Sequence, residues 1–151
     1  MSTDEVLSLL KDFNYHLPPE VREERKQKLL ADTSYSPSLL LQLDILPKST
    51  WHFVVEIIRE LGYPRNRDAL PSLVELMQDI NWPGADEAME IIKGIEKEVT
   101  VPIIENAIKE AYSEEDYQWL AGIKRMVKRS AIQKEDFSDE TIYELLKFAD
   151  F

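Results

Sequence analysis

The chain has 151 residues, the size of one domain, and its 44% hydrophobic and 31% charged side chains are proportions of a folded protein. A formal charge of −11 disfavours nucleic acid, whose phosphates are held through Lys and Arg, and suits a basic protein partner. The absence of cysteine and the count of four glycines leave no material for disulfide scaffolds, thiolate nucleophiles, Cys-based zinc sites or Gly-rich nucleotide loops.

Apolar residues recur at helical spacing almost everywhere and no period-two run stands out, so the expected class is all-α. Val6, Leu9, Leu10 and Phe13 form the stripe of a first helix, with Asp4 and Glu5 at its N-terminus. Residues 18–32 open on Pro18 and Pro19 and then become densely charged, with Val21, Leu29 and Leu30 as anchors. This predicts a solvated helix in which Glu24 and Lys28 pair for about 0.2–0.5 kcal/mol. A helix is expected over 36–46, from a Ser36 cap and Pro37, and another over 49–62, from Ser49 to the glycine stop at Gly62. Beyond the polar loop 63–68, Leu70, Leu73, Val74 and Met77 continue the pattern, then Ala85, Ala88, Met89, Ile92 and Ile95. Further helices are predicted beyond Thr100 (Ile104, Ala107, Ile108, Ala111) and beyond the cap-like 113–116 (Trp119, Leu120, Ile123, Val127). A short last one carries Ile142, Leu145, Leu146 and Ala149 after Ser138.

An offset of 34 lays 37–44 (PSLLLQLD) over 71–78 (PSLVELMQ), and an offset of 31 lays 70–80 over 101–111, proline on proline, with Ile92 on Ile123. Periods of this length belong to stacked helix pairs. The predicted architecture is a short α-solenoid of HEAT-like hairpins, paired as 36–62, 68–98 and 100–129. Residues 1–35 and 130–151 serve as caps on a single all-helical domain, 1–151. Within it, QDINWPGADEA (78–88) is a hairpin corner, with Asn81 as the next cap, Pro83 in the first turn and Trp82 plugging the end.

ALPSLVELMQDINWPGADEAMEII followed by VPIIENAIKEAYSEEDYQWLAGI, over roughly 66–127, resembles a bacterial family of small all-helical HEAT-like domains of unknown function, which carry an LQD-[MI]-NWP corner. Met77 stands where that pattern has a second leucine, and Leu120-Ala121 follows Trp119 where it is more aromatic. The resemblance implies the fold and a bacterial cytoplasmic setting. Small helical domains of this sort can serve as immunity-type inhibitors of secreted toxins.

Chemistry-bearing patterns are sparse. His16 and His52 have no HxxxH, HxxE or ExxH neighbour, so no metal site is expected, and no GxSxG elbow accompanies the serines. Neither a catalytic residue nor a cofactor is assigned. No stretch approaches the ~20 apolar residues of a membrane span, and the acidic N-terminus lacks the basic region of a signal peptide, so a cytoplasmic location without membrane contact is expected.

The basic stretch 124–129 reads as a helix end. Negative charge concentrates later in the chain, −3 over 1–75 and −8 over 76–151, with ten acids against three lysines between 86 and 116. The expected function is a non-enzymatic interaction module, in its sharpest form an immunity-type inhibitor, that meets a basic protein partner through Asp79, Trp82, Asp86, Glu87, Glu90, Asp116 and Trp119. The alternative is a carboxylate-dependent hydrolase or glycosylase on the concave face, which requires a pocket with two carboxylates.

Overall fold

The computed structural model describes residues 1–149. Regular structure among them consists of eight α-helices and five short 3-10 turns, with no strand, so the fold class is all-α. The chain divides into two compact units, Met1–Ser72 and Leu73–Phe151.

In the first unit, α1 (Thr3–Leu10) starts where Ser2 accepts the Glu5 N–H at 3.2 Å, and it buries Val6 and Leu10. Phe13, beyond the helix end, is buried with them. Helix α2 (Pro19–Ala31) begins on proline and buries only Leu29, as its charged composition predicts. Glu24 and Lys28 meet at 3.4 Å on its exposed face. Its C-terminus is held by contacts from the loop expected to be merely polar. The Arg65 guanidinium donates to the carbonyls of Leu29 (3.3 Å), Asp32 (2.7 Å) and Leu30, and the buried Tyr35 hydroxyl donates to Leu29 at 2.6 Å. Carbonyls that have no partner within a helix are thereby satisfied.

The expected helix at 36–46 is a correction. Only Pro37–Leu39 forms a single 3-10 turn, followed by a second turn in which Ile45 and Leu46 both donate to the Gln42 carbonyl. Consecutive leucines present no single face, and Pro47 disfavours helical backbone at Leu46. Leu40 and Leu41 still reach the core. The 36–62 hairpin therefore has only its second member, α3 (Lys48–Leu61). Starting after Pro47 rather than from Ser49, α3 buries Trp51, Val54, Val55, Ile57 and Ile58, and it stops at Gly62, whose φ of 70° suits glycine. Asn66 ties the following loop back by donating to the Ile58 carbonyl at 2.9 Å.

Helix α4 (Leu70–Glu75) contains the boundary between the units. In the second unit it is prolonged by a 3-10 turn, Leu76–Gln78, and followed by α5 (Ala85–Lys93), α6 (Lys97–Ser113), α7 (Tyr117–Arg129) and α8 (Glu140–Glu144), with a closing 3-10 turn at Leu145–Phe148. Helix α7 is the centre of this unit: it packs against 76–78, α5, α6 and 145–148. Trp119, Leu120, Ile123, Met126 and Val127 are all buried, and each contributes about 1.5–3 kcal/mol by leaving water.

Helix α6 begins three residues before Thr100 and carries Pro102 in its interior. The proline tolerates this because it and Glu98, whose carbonyl loses its helical donor, both lie on the exposed side. Glu105 is buried on the other side, where the Ser138 N–H (3.2 Å) and hydroxyl (2.7 Å) donate to its carboxylate. Ser138 is thus taken by α6, and Asp139 caps α8 by accepting the Thr141 N–H at 2.9 Å.

Candidate functional site

The corner between α4 and α5 is a pair of linked turns. Asp79 accepts the Asn81 N–H on its side chain (2.8 Å) and the Trp82 N–H on its carbonyl (3.0 Å). Ala85 N–H then closes onto the Trp82 carbonyl at 3.1 Å around Pro83-Gly84. Gly84, at φ 88° and ψ −7°, takes the third position of a type II turn, which proline at the second position favours. The expected roles of Asn81 as cap and Pro83 as part of the first helical turn are therefore corrected, since α5 begins at Ala85. Asn81 donates its N–H to Asp79, the Asx residue of the turn, and Gly84 stands at the helix start.

A groove of about 460 Å³ opens beside this corner. Met77, Ile80, Ala121 and Gly122 supply its apolar lining, and Gln78, Asn81 and Gln118 supply amides. Arg125 and Lys128, three apart on α7, line it as well, so two of the four cations in the 124–129 run border a concavity. Its depth depends on Gly122. A Cβ built there would lie 1.9 Å from the Met77 carbonyl oxygen, so α7 and the 76–78 turn touch backbone to backbone. Asp79 is the one carboxylate lining the groove, whereas the hydrolase alternative needs a pair.

The seven expected contact residues fall into three places. Asp79 and Trp82 sit half-buried in the corner. Asp86 and Glu90 are exposed one turn apart on α5, with Asp86 facing Arg129 at 3.5 Å, while Glu87 between them is half-buried. Asp116 and Trp119 belong to the start of α7. There the aspartate caps the helix by accepting the Trp119 N–H at 3.0 Å, and the indole is 3% exposed and donates to the Val74 carbonyl at 3.0 Å. Trp119 therefore has no surface to offer a partner, and Asp116 is occupied by its cap.

Of the ten acids between 86 and 116, Glu105 alone is buried. Lys97, one of the three lysines in that stretch, is engaged with Asp136 (3.1 Å) and the Ala131 carbonyl (2.9 Å). The Gln133 N–H first, and then Lys97, hold the Asp136 carboxyl below the ordinary carboxylate range.

The sequence reading missed three exposed rings. Tyr112 ends α6, Tyr117 opens α7, and Phe148 lies in the closing turn. Their centroids stand 5.3 Å apart for Tyr112–Phe148 and 6.4 Å for the nearly parallel Tyr117–Phe148 pair. A signal was available for one of them: Tyr117 lies off the apolar stripe of α7, whereas Tyr112, four residues after Ile108, continues that of α6, and its spacing does not mark it as exposed. No helix among the described residues is long and apolar enough to cross a membrane. No family model matches the chain, and neither a curated protein nor a solved structure matches it.

Proposed function

We propose that the chain is a non-enzymatic protein-interaction module whose acidic second unit engages a basic protein partner. What carries this reading is the net outward negative charge between 86 and 116: nine acids there are at least partly exposed against three lysines, one of which is already engaged by Asp136, and Asp86 pairs with Arg129. Charge placed this way speeds encounter with an oppositely charged surface and rejects like-charged ones. The corner groove lies outside that acidic surface, since Arg125 and Lys128 line it beside Asp79, and its single carboxylate falls short of the pair that acid–base chemistry needs.

An immunity-type inhibitor of a basic toxin, working in a bacterial cytoplasm, is the sharpest form of the proposal. It includes kinship with the LQD-[MI]-NWP domains, and a HEAT-like stacking of α4 to α7. The test is capture of partners from the native host by wild type and by the Asp86→Lys/Glu90→Lys variant. Both side chains are exposed on α5, so the fold should survive the change. The expected result is a basic protein retained at low salt by wild type, released by added salt and missed by the variant. A partner captured equally by both would remove the electrostatic basis of the proposal.

A further inference from the structure

The three exposed rings at the end of α6 bear on how such a partner would be gripped. Tyr112, Tyr117 and Phe148 each keep between 37% and 41% of their surface in solvent, and the Phe148 ring lies against both tyrosines, which gathers aromatic area at one spot on the second unit. Glu114 and Glu115 are exposed in the turn between the two tyrosines, so negative charge flanks the rings. The exposed Lys147, next to Phe148 in the chain, stands with its ammonium 5.3 Å from that ring's centroid, within cation–π range. The first unit provides a contrast. There Phe13, Tyr15 and Phe53 cluster too, but Arg22 sits 4.8 Å over Phe53 and is anchored by a 2.9 Å bond to the Asn14 carbonyl, so that site is filled from within.

We infer that the Tyr112–Tyr117–Phe148 cluster is the anchoring point of the module, and that it receives an arginine side chain of the basic protein partner. This rests on the reading of the second unit as an acidic interaction surface. A guanidinium stacks flat on an aromatic face and sheds water more easily than an ammonium, so arginine should displace Lys147 where a partner lysine would gain little. Acids in the intervening turn supply the charge complement. Tyrosine and arginine are also among the residues that dominate interface energetics.

The probe is a fluorescent octa-arginine peptide, with octa-lysine as its control, titrated into the full chain and read by anisotropy. Wild type should bind octa-arginine more tightly than octa-lysine. Tyr112→Leu/Tyr117→Leu, which keeps apolar bulk but removes two π faces, should weaken octa-arginine binding by about tenfold and erase the preference. Tyr112→Phe/Tyr117→Phe should retain both. Circular dichroism checks that each variant is folded.

Leucine variants that bind like wild type would overturn the anchor, even while Asp86→Lys/Glu90→Lys weakens binding and upholds the acidic surface. Conversely, a charge variant that binds like wild type while the leucine variant fails would uphold the anchor and sink the electrostatic reading. Absence of any octa-arginine binding by wild type at low salt would overturn the inference outright.

Discussion

Gly122 and Met77 meet backbone to backbone: a Cβ on the glycine would fall 1.9 Å from the methionine carbonyl oxygen and 2.8 Å from its carbonyl carbon. No rotamer change relieves such a clash, because the obstruction is main chain. Gly122→Ala must therefore push α7 away from the 76–78 turn, loosening the Trp119–Val74 hydrogen bond next to it. We expect a loss on the order of 3 kcal/mol, at the upper end of overpacking costs, measurable by urea denaturation. The mutant groove should also widen, and its Trp119 fluorescence should shift toward that of a hydrated indole.

Ala131 ends α7 in a left-handed conformation, φ 54°, with the Ile132 N–H reaching back to the Val127 carbonyl at 3.0 Å. An L-residue there costs roughly 1–2 kcal/mol, part of which glycine gives back through its freer unfolded chain. Ala131→Gly is expected to raise stability by about 0.5–1 kcal/mol, read as a higher urea midpoint with an unchanged slope. The Lys97 bond to the residue 131 carbonyl is retained, since it uses backbone.

Asp32 supplies a pH signature for the first unit. The Ser34 hydroxyl, then the Ser34 N–H, then the amino group of Met1 draw its carboxyl down to about 2 from an ordinary 3.8. A lowered carboxylate pKa stabilises the folded state fully above the unfolded value and progressively less below it. Comparing melting temperatures of wild type and Asp32→Asn, the wild-type advantage should be constant from neutral pH to about pH 5 and shrink between about pH 4 and pH 2. An advantage that persists at pH 2 would show that packing, not ionisation, is responsible.

Legibility in the sequence followed the physics of each segment. Helices with a dominant stripe, such as α7 with Trp119, Leu120, Ile123 and Val127, were readable because burial of one face and the 3.6-residue period say the same thing. Residues 36–46 misled because a cap and a proline signal where a helix can start, while three adjacent leucines give it no face to continue on. Proline matches between 71 and 102 had a similar weakness: one lies at the second residue of α4, the other deep inside α6, so equal sequence spacing did not mean equal structural position.

The candidate site was legible only as charge. Asp86 and Glu90 are exposed as their positions suggest, but the size and aromatic character that make Trp119 look like an interface anchor equally suit a core residue with a carbonyl to bond. Contacts made by backbone or by distant side chains, such as Arg65 on the end of α2 or Ser138 on Glu105, leave no periodic trace at all.

The link joining α6 to α7 closes entirely on itself. Glu114, Glu115 and Asp116 donate to Glu110, Tyr112 and Ala111, and Asp116 receives Trp119. None of those bonds uses the Tyr112 or Tyr117 ring. The path of the chain through this link is therefore fixed by main chain and the Asp116 cap, and a change at either ring would be felt at Phe148 rather than in the turn.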